Sequence, residues 1–568
     1  MSYLLNRYCT ATAFADYDDL KNNFAIRCPE DFNFGYDCVD AWAEHEPQKL
    51  ALVWTNDAGD MKRYSFLDVK HESNRAANLF RSFGIRKGDV VMLILKQRPE
   101  VWFAMTALHK MGAVVIPASF QLTPHDLVYR LNASGAKLIV AVDDDYVMEN
   151  INTALAECKS VEHVLSVGEK DLPGMENYRK IIGGFSAEFP RPTDDQNTCV
   201  TDDMMIFFSS GTTGMPKMVL HDYSSPLGQI STAKFWQCVQ ENTVHMTQTD
   251  SGWAKFAWGK MYGQWLCGAA VGAYDTEKFE PKTMLAAIKR IRPTTLCLPA
   301  TIFRVLIKED ISRDDFSFVE HATMAGEPLN PEVLKQLYEK TGLVVHEGFG
   351  QSESSVLVAN FFGMEIRPGS MGKPAPGYDI DILDENLRRC EDGAVGSICI
   401  KNVLSNHPTG LFREYWKDEE AMKKSFRDDT YNTGDTAWRD ADGYLWFVGR
   451  NDDVIKCSGY RIGPFEVESA LMEHPSVLEC AITAYPDELR GDVVKATVVL
   501  VKGSEGNDEL KKELQNHVKH ATAPYKYPRI VEFADELPKT TSGKIIRNQI
   551  RAADVQKYNA NKNKSQSH

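Results

Sequence analysis

Hydroxyl side chains and glycines alternate through Ser209-Ser210-Gly211-Thr212-Thr213-Gly214, which follows the apolar run 204–208 and leads through Met215-Pro216 to Lys217. A loop of this kind after a strand offers amide and hydroxyl donors that can surround phosphate oxygens, and Lys217 adds a positive charge at its far end. It is not a Walker loop, because Lys217 does not directly follow a glycine and no Ser or Thr follows it. A dinucleotide fingerprint is absent too: Gly348-Phe349-Gly350 is followed by Glu353 where a glycine is needed. Further along, Glu353 suits a hard cation that prefers oxygen ligands. Asp435 can accept hydrogen bonds from two neighbouring hydroxyls, and Arg450 can hold a hydroxyl or phosphate oxygen in its planar fork. Lys544, in a Ser-Gly-Lys turn near the C-terminus, can neutralise charge that develops on a phosphate. Taken singly, the loop and Asp435 read equally as turns, and Glu353, Arg450 and Lys544 read more readily as solvated surface side chains.

The elements that would position them alternate between helix and strand. Residues 64–83 carry Phe66, Val69, Ala76, Ala77 and Phe80 at helical spacing, with Gly84 as a stop. Strands are predicted at 90–95, 114–117 and 137–142, with helices at 99–111 and 126–133 between them. This order implies a parallel sheet with helices on its faces, and it resumes after residue 200 and over 281–300. Around Asp435 the texture changes to short strands separated by turns such as Asp442-Gly443. After the polar segment 449–453 come a helix with Pro464 near its start and Val467, Ala470 and Leu471 on one face, strands at 480–484 and 495–501, and a helix with Leu510, Leu514 and Val518. This reads as a compact C-terminal α+β domain of roughly 115 residues. A chain of 568 residues exceeds a single core. The expected division is 1–450, 451–560 and a disordered tail at 561–568, rich in Asn, Lys and Ser.

Composition narrows the classes. With 43% hydrophobic and 25% charged residues the chain is ordinary for a globular protein, and a net charge of −15 argues against general nucleic-acid binding. Twelve cysteines without a CxxC pair fit a reducing compartment. No signal peptide and no bilayer-length apolar run is visible, so a soluble, cytoplasmic protein is expected, its homo-oligomerisation left open.

In order, the motifs resemble those of the adenylate-forming superfamily: acyl-CoA synthetases, peptide-synthetase adenylation domains and luciferases. The loop 209–217 resembles its phosphate loop, and Ala325-Gly326-Glu327-Pro328-Leu329 the stretch packed on adenine. Glu347-Gly348-Phe349-Gly350-Gln351-Ser352-Glu353 resembles the segment that meets phosphates and magnesium, and Tyr431-Asn432-Thr433-Gly434-Asp435 the ribose motif. Gly449-Arg450 and Ser458-Gly459-Tyr460-Arg461-Ile462-Gly463-Pro464 resemble the hinge region and its glycine loop, and Pro538-Lys539-Thr540-Thr541-Ser542-Gly543-Lys544-Ile545 the segment of the catalytic lysine. The resemblance implies an α/β fold, a large multi-sheet N-terminal domain with a small mobile α+β C-terminal domain. It implies ATP, Mg²⁺ and coenzyme A as cofactor and substrates, with Lys544, Glu353 and Lys217 catalytic and Glu353 the metal ligand. ATP or AMP would be met by Ser209, Ser210, Gly211, Thr212, Thr213, Gly214, Lys217, Gly326, Glu327, Pro328, Glu347, Gly348, Phe349, Gly350, Gln351, Ser352, Asp435, Arg450, Arg461 and Lys544. Acyl-AMP and pyrophosphate form first. The C-terminal domain then turns about Asp452, exchanging Lys544 for the loop 458–460, and the CoA thiol attacks the acyl carbonyl.

Within the superfamily the stretches 458–468 and 522–528 look most like the medium-chain acyl-CoA synthetases, which makes Gln121, Ser458, Gly459, Tyr460, Arg490 and Lys519 the CoA-binding candidates. Acetate-specific relatives place a Trp where this chain has Gly350, so a longer, branched or aromatic acid is expected, against a wall that includes Trp253 and Trp258. A carrier-loading adenylation enzyme shares all six motifs and is the alternative. A luciferase-type oxygenase and a non-catalytic nucleotide-binding protein are further rivals, the last disfavoured by the presence of both Lys544 and Glu353.

Overall fold

The computed structural model describes residues 2–209, 215–327, 331–457, 460–487, 490–539 and 545–566. Two large sheets form most of the molecule. One has eight strands in the order Glu414–Tyr415, Lys217–Asp222, Asp203–Ser209, Val114–Pro117, Val90–Ile94, Leu138–Val142, His163–Val167, Glu176–Asn177. Its centre is parallel, as the strand–helix alternation predicts, and Val90–Ile94 and Leu138–Val142 are buried along their whole length. Strands covered on both faces read as continuous apolar runs for this reason. The other has nine strands and contains His321–Ala325 parallel to Val345–Gly350.

Local chemistry sets the helix ends. Ser65 and Asp68 form a capping box at the start of Phe66–Ser82, and Thr123 with Asp126 does the same for Pro124–Ser134. Gly112, at φ 72°, ends Glu100–Met111 in the left-handed conformation.

A third sheet of five strands joins Asp379–Leu383, Gly396–Lys401, Thr430–Arg439 and Phe426–Arg427, with Leu445–Arg450 paired to Thr430–Arg439. The last sheet, Tyr460–Ile462, Ile455–Cys457, Gly491–Leu500, Val477–Asp487 and Ile530–Phe533, encloses a core of its own. Ile455, Val467, Leu471, Ile482, Val498, Leu514 and Val518 form that core, and every residue in it lies between 455 and 531. The architecture is two-domain α/β. The helix Arg547–Gln566 runs through 561–566, where the sequence reading ends in a disordered tail. Arg551 on this helix donates to the Asp453 carboxylate at 2.5 Å and to the Asp452 carbonyl at 3.2 Å. Arg547 holds both Glu468 oxygens, at 2.7 and 2.8 Å. Among the described residues no helix is long and apolar enough to cross a membrane.

Candidate functional site

The predicted residues gather where the carboxyl ends of strands from both large sheets open onto the third, the usual place for a ligand in parallel α/β sheets. Ser209 ends one strand and Lys217 begins the next, as directly paired residues of a hairpin. Ser210, Gly211, Thr212, Thr213 and Gly214, which join them, lie outside the described residues. The Lys217 ammonium sits 4.3 Å from the centre of the Tyr415 ring, and the Tyr415 hydroxyl donates to Glu353 Oε1 at 3.0 Å. Phe412 N–H donates to the Glu353 carbonyl at 2.7 Å. Burial pushes the Lys217 amine down, and the Glu353 charge opposes that shift. Glu353 is 8% exposed, and among the described residues only Oε1 of its carboxylate has a partner.

Gln351 ties this corner to the ribose motif. Its amide nitrogen donates to Asp435 Oδ2 at 2.5 Å and to the Thr433 carbonyl at 2.9 Å, while Tyr431 donates to its oxygen at 3.1 Å. Asp435, 5% exposed, is paired in register with Arg450, whose Nη1 lies 3.6 Å from its carboxylate. His221 is fully buried and its imidazole is pushed down to about 4 by desolvation. It is therefore neutral: Nε2–H donates to the Ser352 carbonyl at 2.7 Å, and Nδ1 accepts from Ser225 Oγ at 3.2 Å. The turn holding Ser352 and Glu353 is thus pinned from both sides.

Three neighbours complete the strand Val345–Gly350. Gly348 faces Trp236, which a Cβ would meet at 2.5 Å, and Gly350 faces the Ser355 carbonyl at 2.9 Å. Phe349 is tilted against Phe447 at 6.2 Å. Glu347 is 7% exposed, its Oε1 has no partner among the described residues, and burial raises its carboxyl to about 8. After the parallel strand, Gly326 takes φ 104°, and Glu327 is held by Arg304 Nη2 and Thr301 N, both at 2.7 Å. Burial opposes ionisation of Glu327, but Arg304 and Thr301 outweigh it and hold the carboxyl below its ordinary value.

Some of the other expected residues are not described, and some lie apart from this corner. Lys544, Pro328, Ser458 and Gly459 lie outside the described residues, and of Tyr460 and Arg461 only the backbone is described. Gln121 is exposed, its N–H on Ser119 Oγ at 3.3 Å; Arg490 N–H donates to Asp487 at 2.9 Å; the Lys519 ammonium lies over Tyr527 at 4.1 Å. No contact among the described residues joins these three. Trp258 is buried edge-on against His221 at 5.0 Å and Phe207 at 5.4 Å, whereas Trp253 precedes the same helix, Ala254–Lys260, and is half-buried. Asp452 lies 3.8 Å from Arg450 Nε. Tyr415 and the structural role of His221 were missed by sequence reasoning. The only signal for Tyr415 was a two-residue strand-like Glu-Tyr ahead of a Trp.

A buried acceptor beside paired Asp435 and Arg450, a cation at the mouth of a phosphate-type loop and a half-free carboxylate define a nucleotide-handling site. Residues 39–416 match the family model described as AMP-binding enzyme, and residues 466–544 that of the AMP-binding enzyme C-terminal domain. The chain belongs to the AMP-binding enzyme family. The mitochondrial acyl-coenzyme A synthetase ACSM3 of Mus musculus is 42% identical over 566 residues, 97% of this chain and 96% of its own. The anthranilate CoA ligase AuaEII, solved in complex with anthranoyl-AMP, superposes with a TM-score of 0.84 at 25% identity, covering 94% of this chain and 99% of that one. Brucella canis acyl-CoA synthetase gives 0.71 at 31% identity, covering 96% and 99%. Within the family this is a ligase of the acyl-CoA synthetase type, which activates a carboxylate with ATP as acyl-AMP and transfers the acyl group to coenzyme A. The expected cytoplasmic location does not stand: the similar mammalian ACSM3, ACSM4 and ACSM5 proteins are all mitochondrial by name.

Proposed function

We propose that this ligase acts on a short- to medium-chain, branched or aromatic carboxylic acid. The observation that supports the reading is the proximity of two linked sets, Lys217–Tyr415–Glu353, held by a cation–ring contact and a hydrogen bond, and Gln351–Asp435–Arg450, held by a hydrogen bond and an ion pair. Asp435 accepts from the ribose hydroxyls, and Arg450 neutralises it until a nucleotide arrives. Lys217 and the loop 209–214 bind phosphate oxygens, and Lys544 steadies the charge that develops as the acid attacks the α-phosphate. Glu347, Gly348, Phe349, Gly326, Glu327, Pro328 and Arg461 line the nucleotide.

Magnesium fits the donor set. Glu353 offers one oxygen without a partner, and among the described residues no group of three or more His, Cys, Asp or Glu side chains gathers into a metal cage. One carboxylate with phosphate oxygens and water is the usual holding of this ion. When bound, it neutralises phosphate charge.

Support for the acid's size comes from Gly350, which is exposed and carries no side chain to close the space. The similar anthranilate ligase holds an aromatic acyl-AMP. The domain 451–560 turns about Asp452 between half-reactions, bringing the loop 458–460 in place of Lys544, with Gln121, Arg490 and Lys519 at the CoA nucleotide. The test is pyrophosphate and AMP release with ATP and Mg²⁺, with and without CoA, across acetate, butyrate, 2-methylbutyrate, hexanoate, octanoate, palmitate and benzoate. CoA-stimulated turnover peaking between butyrate and octanoate, or on a branched or aromatic acid, is expected. Pyrophosphate release that CoA does not stimulate would assign a carrier-loading ligase instead.

A further inference from the structure

Lys217 and Glu353 come from segments far apart in sequence, and one side chain lies between them. The strand Glu414–Tyr415 pairs antiparallel with the strand of Lys217, with Tyr415 directly opposite Val219. Lys217 is two residues before Val219, on the same face, so it is the diagonal neighbour that an aromatic ring reaches across a strand pair. This register brings the ring under the ammonium at 4.3 Å. The same segment grips Glu353 twice. Phe412 N–H takes its carbonyl at 2.7 Å, and the Tyr415 hydroxyl takes carboxylate Oε1 at 3.0 Å. A bridge between Ser354 and Leu411 extends the attachment by one residue.

We propose that Tyr415 is a positioning residue for adenylation: it fixes the Glu353 carboxylate through Oε1 so that Oε2 alone faces the cation, and it sets the distance from that carboxylate to the Lys217 ammonium. The inference rests on the proposed magnesium role of Glu353. Tyr415 is buried, and its hydroxyl is the donor to an acceptor-only carboxylate. With one oxygen engaged, the carboxylate cannot swing to chelate through both, and a carboxylate held in one rotamer binds a cation without first losing side-chain freedom. The ring does a separate job, since a cation over its face is attracted without any hydrogen bond.

The two jobs separate by substitution. Tyr415→Phe keeps the ring under Lys217 and removes the hydrogen bond to Glu353. The probe is Mn²⁺ bound to the full-length protein with a non-hydrolysable α,β-methylene ATP analogue, with free Mn²⁺ followed by electron paramagnetic resonance. A hydrogen bond to a charged group corresponds to about ten- to a hundredfold in affinity, so Mn²⁺ affinity in Tyr415→Phe should fall by about that factor. In a Glu353→Gln background the same substitution should have almost no further effect, the pattern of a coupled pair. The thioester step from preformed acyl-AMP should be unchanged. A Tyr415→Phe protein with wild-type melting temperature and wild-type Mn²⁺ affinity would overturn the proposal. Equal, independent losses in both Glu353 backgrounds would overturn it as well, assigning a merely structural tyrosine. If the wild-type protein with the analogue binds no Mn²⁺, the magnesium reading of Glu353 falls, and this proposal with it.

Discussion

Glu347 gives a stability prediction of unusual sign. Its carboxyl is buried, its Oε1 has no partner among the described residues, and its protonation point rises from 4.5 to about 8. The unfolded chain releases this proton above pH 4.5, whereas the folded chain keeps it until about 8. Over that window the folded state binds more protons than the unfolded one, so stability falls as pH rises, by about 1.4 kcal/mol per unit. At pH 7 the accumulated loss is about 3 kcal/mol; it grows to its full value near pH 8 and vanishes below 4.5. Glu347→Gln has nearly the same shape and cannot ionise, so it should be more stable than wild type at pH 7–8 and indistinguishable near pH 5. For a large N-terminal domain, 3 kcal/mol corresponds to roughly 3 °C in melting temperature. The assay is a thermal melt of both proteins without nucleotide, from pH 5 to 8.5. Melting curves that stay parallel across that range, or a gap that widens toward acid, would refute the reasoning.

Other substitutions probe the rest of the site. Lys544→Ala should lower acid-dependent pyrophosphate release by about 10²-fold or more while largely keeping the thioester step from preformed acyl-AMP; equal loss in both would count against domain exchange. Asp435→Asn should weaken ATP binding by about tenfold, read by isothermal titration, because it loses a charge-assisted acceptor and takes from Arg450 the nearer of its two carboxylate partners. Gly348→Ala places a Cβ 2.5 Å from the buried Trp236 and should destabilise the protein by about 1–3 kcal/mol, visible as a lower melting temperature. Arg551→Ala removes the contacts to Asp452 and Asp453 and should raise proteolytic cleavage near residue 452, measured by limited trypsin digestion; an unchanged pattern would show that the helix does not restrain the hinge.

Much of the architecture was legible because its signals are local. The runs 90–95 and 138–142 are apolar throughout, and at five or six residues between turn signals they are too short for a buried helix and fit a strand covered on both faces. Gly84, Gly112 and Gly135 stand where backbones turn left-handed. The site was legible in part for the same reason: Glu353, Asp435 and Arg450 sit in short motifs whose spacing a turn fixes. Tyr415 was not, because its partners come from strand pairing between distant segments, and neither period nor composition encodes that register. The polar bond between buried His221 and the Ser352 carbonyl is equally long-range. Glu327 differed in another way, since its Arg304 and Thr301 partners lie on a separate helix that no motif includes. The location inferred from the N-terminus and the cysteines failed because both are weak tokens of compartment.

The contacts of the helix Arg547–Gln566 with Asp452, Asp453 and Glu468 also bear on the order in which a chain made from its N-terminus can complete its packing. Asp453 and Glu468 receive Arg551 and Arg547, and buried Lys495 is paired with Asp554 and with Glu532 at 2.7 Å. These partners emerge from the ribosome well after the residues that need them, whereas the buried residues of the cores of the two large sheets all precede residue 446. The nascent chain can therefore finish its two large sheets early, while buried Lys495 has Glu532 as its single carboxylate until Asp554 arrives.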